Sequence, residues 1–117
     1  MARVLVIDDE LDIVRVVVRT LSARGHEVDT GRDGLEALPR IEADPPDLLI
    51  IDANLPGLDG VELVRRLKAS PRTAGVPILL MTTAYLALDG LGADEYVVKP
   101  FLREVLLANV DRLLARA

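Results

Sequence analysis

The sequence predicts an α/β domain built as a doubly wound parallel sheet of (βα)₅ pattern, with helices on both faces. Three observations predict it. Short apolar runs recur at residues 4–7, 48–51, 78–81 and, more briefly, 96–98. These runs are continuous rather than alternating, as expected of parallel strands covered on both sides. Longer segments with helical spacing lie between them, and 117 residues fit a single compact domain spanning 1–117, with no output domain expected in this chain.

Each element has its own local signature. The first run ends at Asp8-Asp9, and Val14, Val17, Val18 and Leu21 then fall at i, i+3, i+4 and i+7, making one buried stripe that Gly25 is placed to stop. A weaker strand over 27–30 is expected nearer an edge of the sheet. Asp33 followed by Glu36, and Asp59 followed by Glu62, have the spacing of N-caps with reciprocal acids. Pro39 falls within the second helical segment, where an interior proline costs about 3 kcal/mol, so that helix should be kinked or start late. The fourth helical segment, 85–92, is only about two turns long at 3.6 residues per turn. The last helix carries Leu102, Val105, Leu106 and Leu113 on one face, with Phe101, Leu107 and Leu114 as extra apolar surface for a partner.

Composition narrows the function classes. Half of the residues are hydrophobic, with only two tyrosines and one phenylalanine, so the core must be aliphatic. There is no cysteine, which removes disulfides and thiolate metal sites and fits a reducing, cytoplasmic compartment. The formal net charge of −5 includes no basic stripe of the kind that tracks nucleic-acid phosphates. No apolar run approaches the ~20 residues of a membrane helix, and the strand-like run after Met1-Ala2-Arg3 leaves no room for a signal peptide. His26 is expected as a solvated loop residue, and Arg65-Arg66 as the solvated face of a helix.

In open α/β sheets, ligands bind outside the carboxyl ends of the strands. Read in order, those ends carry Asp8 and Asp9, Asp52, Thr82 and Thr83, and Lys99. Any one aspartate after a strand is ordinarily a cap or turn residue. Together they are a set of like charges that stability alone gives no reason to gather. A hard divalent cation with oxygen ligands explains the set, and Mg²⁺ fits better than zinc with His26 as the only histidine. A metal beside a lysine suits phosphoryl transfer, in which an aspartate forms an acyl phosphate and the cations neutralise the transferred oxygens. Asp52 ends the most apolar run and is the nucleophile candidate. The turn-rich loop after it can turn a backbone carbonyl, such as that of Asn54, towards the metal.

In combination these motifs resemble the receiver domain of bacterial two-component response regulators. They are Asp8-Asp9 after the first strand, Asp52 with Pro56 and Asp59-Gly60, a threonine after the fourth strand, and Lys99-Pro100-Phe101 after the fifth. The resemblance covers the whole chain and implies the flavodoxin-like strand order 2-1-3-4-5. It implies that Asp52 takes a phosphoryl group from a histidine kinase or phosphotransfer protein, and that the domain is not an enzyme with an external substrate. It further implies that Asp9, Asp52 and the Asn54 carbonyl ligate Mg²⁺, that Asp8 reaches it mainly through water, and that Lys99 pairs with the carboxylate and then with the phosphoryl oxygens. The Lys99-Pro100 bond resembles the family's cis peptide. Counting from Pro77 puts the switch hydroxyl on Thr82, since a slip of one residue would turn the side chain to the other face. Tyr96 matches the aromatic that turns inward on activation; the alternative is a fixed, half-buried tyrosine.

The short 85–92 segment departs from the family, in which that helix is fuller and belongs to the usual output face. A monomer or a phosphorylation-dependent dimer is therefore left open, as is the downstream partner. The main rival is a phosphorylation-independent interaction module that keeps the fold. A Mg²⁺-dependent phosphatase is a weaker rival, because Asn54 stands where such enzymes place a second aspartate.

Overall fold

The computed structural model describes residues 1–83 and 92–116. Five strands, β1 (Arg3–Ile7), β2 (Glu27–Gly31), β3 (Leu48–Asp52), β4 (Ile78–Thr82) and β5 (Glu95–Val98), form one sheet in the order β2-β1-β3-β4-β5. Every pairing is parallel. Four described helices connect or follow them: α1 (Leu11–Ser22), α2 (Gly34–Ala43), α3 (Gly60–Ala69) and α4 (Arg103–Arg116). The short helix expected at 85–92 falls almost wholly outside the described residues.

The central strands β3 and β4 are buried along their whole length. Their aliphatic side chains alternate between two cores. One core joins Leu5, Ile7, Leu49, Ile51 and Leu80 to residues of α2 and α3, and Tyr96 packs against it half-buried. The other joins Val4, Val6, Ile50, Met81 and Val97 to residues of α1 and α4. Each fully buried aliphatic side chain contributes roughly 1.5–3 kcal/mol. The edge strand β2 is mostly exposed, in keeping with its weaker pattern.

Helix faces differ from the sequence reading in three places. In α1 the residues that reach full burial are Val17, Thr20 and Leu21, while Val14 and Val18 stop half-buried. In α4 the buried face is Leu106, Asn109, Val110 and Leu113, whereas Val105, and Leu102 just before the helix, are exposed. Phe101, Leu107 and Leu114, expected as partner surface, instead pack against the second core. Asn109 is tolerated on that face because its side-chain amide donates to the Val105 carbonyl and its oxygen accepts from Arg112.

Caps differ as well. Asp33 caps α2, its carboxylate accepting from the Leu35 and Glu36 amides at 2.7 and 3.4 Å. Asp59 makes no side-chain cap bond on α3, and Glu62 pairs with Arg65 and Arg66 instead of closing a reciprocal box. α2 starts directly after its cap and runs through Pro39, so the late start expected from that proline does not occur. Gly25 sits at φ +85° just beyond α1, where a left-handed residue ends the helix. His26 is half-buried rather than solvated, its Nδ1 accepting from the Ala2 amide at 3.1 Å.

Candidate functional site

Strand register assembles the site. Asp52 pairs with Met81, and Thr82 pairs with Val98. Beyond the strand ends the ladder continues: the Ala53 amide donates to the Met81 carbonyl at 2.8 Å, and the Lys99 amide to the Thr82 carbonyl at 2.7 Å. Asp8 continues β1, its amide donating to the Gly31 carbonyl at 3.0 Å. Alternation along parallel strands puts Asp8, Asp52 and Lys99 in phase with the α1/α4 core, and Thr82 in phase with Leu80 and Tyr96 of the other core.

The ammonium of Lys99 holds three carboxylates. Its Nζ lies 2.8 Å from Asp8, 2.9 Å from Glu10 and 3.4 Å from Asp52. Asp8, Asp52 and Lys99 are all buried, whereas the Glu10 side chain is 58% exposed and so reaches the cluster from its solvent side. Backbone donors fix the two buried carboxylates: the Glu10 amide donates to Asp8 at 2.9 Å, and the Asn54 amide to Asp52 at 3.3 Å.

The electrostatics follow from this crowding. Burial and the neighbouring Asp8 charge push Asp52 from its ordinary 3.8 up to about 6, although Lys99 and the Asn54 amide pull the other way. Burial by itself would lower Lys99. Hydrogen bonds to Asp8 and Glu10, with the Asp52 charge, outweigh it and raise the ammonium to about 12. One buried cation is thus shared among three acids. Oxygen atoms of Asp8, Glu10 and Asp52 lie within 4.8 Å of one another. Such an oxygen-only donor set fits a hard divalent cation.

The expected residues are placed as follows. Asp8, Asp52 and Lys99 come together, with Thr82 buried at the next step of the adjoining strand. Asp9 is exposed and lies outside the group of three, and Thr83 is exposed beyond β4. Asn54 is exposed, with its backbone bound to Asp52. The Lys99-Pro100 bond is cis. The sequence reading missed Glu10. A signal existed, for it directly follows the aspartate pair, and as N-cap of α1 it makes no side-chain cap bond, so its carboxylate is free to turn to Lys99.

The loop after Asp52 is shaped by glycines. A Cβ on Gly60 would come within 1.9 Å of the Asp52 carbonyl oxygen, and one on Gly57, at φ +76°, within 2.3 Å of the Asp33 carboxylate. Gly60 thus lets α3 begin directly against the end of β3. Gly60→Ala is expected to cost about 2–4 kcal/mol in urea unfolding, since neither backbone segment can yield without moving Asp52. Unchanged stability would mean that this close approach is dispensable.

Comparison with known proteins agrees with this geometry. Residues 4–111 match the family model for the response regulator receiver domain. The phosphate regulon transcriptional regulatory protein PhoB of Rhizobium meliloti is 42% identical across 98% of this chain and 53% of its own length. The response regulator MprA of Mycobacterium avium is 40% identical across 97% of the chain and 51% of its own length. The chain therefore spans about half the length of these curated relatives. Among solved structures, a putative response regulator from Chloroflexus aurantiacus superposes with a TM-score of 0.91 at 34% identity, covering 97% of this chain and 98% of that one. The receiver domain of the Pseudomonas aeruginosa sensor histidine kinase PA1611, solved with magnesium in its active-site cleft, gives 0.90 at 28% identity with the same coverage. No helix among the described residues is long and apolar enough to cross a membrane.

Proposed function

The chain belongs to the response regulator receiver domain family, and from that premise we propose that it is a phosphorylation switch in which Asp52 accepts a phosphoryl group. One observation carries this reading. A buried carboxylate is pushed up to about 6, between a buried lysine and further acids, at the carboxyl edge of a parallel sheet. Above pH 7 Asp52 is largely ionised and able to attack. An Asp52 oxygen forms the new O–P bond as the P–N bond of a phosphohistidine breaks, and the departing imidazole keeps the electron pair.

Asp8, Glu10 and Asp52 would hold a Mg²⁺ ion, with Asp9 and the Asn54 carbonyl as the further oxygen donors that family membership suggests. When bound, the ion supplies charge neutralisation for the phosphoryl oxygens. Lys99 exchanges part of its carboxylate shell for those oxygens, and its charge at working pH is secured by the rise to about 12. Thr82 follows the phosphoryl group, and Tyr96, in phase with it on the same face, moves towards the space it leaves. The phosphoryl donor is a histidine kinase or phosphotransfer protein, the compartment is the cytoplasm, and the domain turns over no external substrate. The effect on the fold is a population shift between two forms.

The test is intact mass after incubation with acetyl phosphate, with and without Mg²⁺. A gain of one phosphoryl group that requires the metal and Asp52 is expected. No gain in any condition would leave an interaction module on a receiver fold. Thr82→Ala should keep Mg²⁺ binding while losing most of the change in the Tyr96 ring resonances on phosphorylation. An unchanged Tyr96 response in that variant would remove Thr82 from the switch.

A further inference from the structure

Among the described residues, every lysine and arginine has an ion pair or a hydrogen bond except Arg15, Arg19, Arg32 and Arg103. Three of these line one groove between α1 and the start of α4, together with Asp12, Val16 and Thr20. Arg15 and Arg19 are also i,i+4 neighbours of like charge, which weakens a helix unless something answers them. This concentration of free guanidinium groups stands in a chain of net charge −5.

Thr20 supplies an independent observation. It is only 3% exposed, and its side-chain hydroxyl has no hydrogen bond among the described residues. Among the described residues no fully buried side-chain polar atom is left without a partner, so this hydroxyl must keep some exposure, and Thr20 lines the groove. The groove, about 530 Å³, is of the size that holds a small ligand. Planar guanidinium groups match phosphate oxygens in pairs, and a free hydroxyl adds a donor beneath them.

We propose that this α1/α4 groove binds a phosphorylated small molecule, with Arg15, Arg19, Arg103 and the Thr20 hydroxyl on its phosphate groups. Asp12, the one acid in the lining among the described residues, faces the same ligand and accepts from a hydroxyl or amine on its uncharged part. Val16 offers that part an apolar wall. This site is separate from the Asp52 cluster and stands whether or not Asp52 is phosphorylated.

The test is ¹⁵N-resolved titration of the whole chain in EDTA with pyrophosphate, ADP, adenosine and a polyglutamate peptide. Pyrophosphate and ADP should shift Thr20, Arg15, Arg19 and Arg103 in a saturable, salt-sensitive way. In Arg15→Gln/Arg19→Gln, two exposed changes that leave the core untouched, the affinity should fall about tenfold or more. ADP binding more tightly than pyrophosphate would identify a nucleotide-like ligand, and equal affinities a free phosphate compound. Shifts confined to Asp52 and Lys99, equal affinity in the double variant, adenosine binding as well as ADP, or binding of polyglutamate alone would each overturn the proposal.

Discussion

Asp52→Asn is expected to abolish phosphoryl uptake from acetyl phosphate and, in metal-free buffer, to make the domain more stable. Uptake is lost because an amide cannot replace the carboxylate oxygen as nucleophile, and stability rises because a buried charge is removed. Asp52 is buried beside Asp8 and ionises only near pH 6, so holding it charged at neutral pH works against folding. The sign follows from proton linkage. A carboxylate whose folded value is raised binds more protons in the native state, so its favourable contribution is present below about 4. It is lost as the pH rises through about 6. The variant should therefore match the wild type in stability near pH 4 and exceed it by about 1–3 kcal/mol above pH 6.5. Urea unfolding in EDTA across that window reads the difference. A variant less stable than the wild type at pH 7.5 would mean that Lys99 more than repays the burial of Asp52. Saturating Mg²⁺ should narrow the gap, because the ion stabilises the folded wild type by mass action.

Lys99→Met should have the opposite effect, and a larger one. Lys99 is the only cation among the described residues within reach of Asp8, Glu10 and Asp52. Removing one partner of a buried ion pair costs about 3–5 kcal/mol, because the charges left behind remain buried. Glu10 can swing into solvent, but Asp8 and Asp52 cannot. The variant should thus unfold at markedly lower urea in EDTA. It should recover more stability from Mg²⁺ than the wild type does, since the ion no longer competes with an ammonium for the same oxygens. Adding Asp8→Asn should restore part of the loss. If Lys99→Met were as stable as the wild type without metal, the three-carboxylate arrangement would not exist in solution.

Much of this was legible in the sequence, for a physical reason. Strands buried on both faces must be continuously apolar, so the 48–51 and 78–81 runs were unambiguous. The residue that ends each run then marks the sheet edge where ligands gather. Position alone gave Asp52, Lys99 and the pairs Asp8-Asp9 and Thr82-Thr83, and the family resemblance was needed to choose Thr82 over Thr83. Side-chain choices with near-equal alternatives did not follow. Glu62 could close a cap or pair with Arg65 and Arg66, and only the folded helix decides. Glu10 lies in the loop beyond a strand end, where no periodicity shows which way a carboxylate turns. Leu102 and Phe101 are adjacent and similarly apolar, yet Phe101 packs on the second core and Leu102 is exposed, because the angle at which the chain enters α4 is set by tertiary packing. Asp9 and Asp8 exchange prominence in the same way: the strand carries Asp8 into the interior and leaves Asp9 outside.

Alternation in β3, β4 and β5 puts the two halves of the proposed switch on opposite sides of the sheet. The acid–lysine cluster is in phase with the layer of α1 and α4, and the hydroxyl and ring proposed to respond are in phase with the layer of α2 and α3. For protein engineering this means separate handles. Repacking around Val6, Ile50 or Val97 should retune how readily the domain is charged, through the seating of Asp52 and Lys99. Repacking around Leu80 or Ile51 should alter how strongly the charged form is heard. A sensor built on this scaffold could have its threshold and its gain adjusted on opposite faces of one sheet.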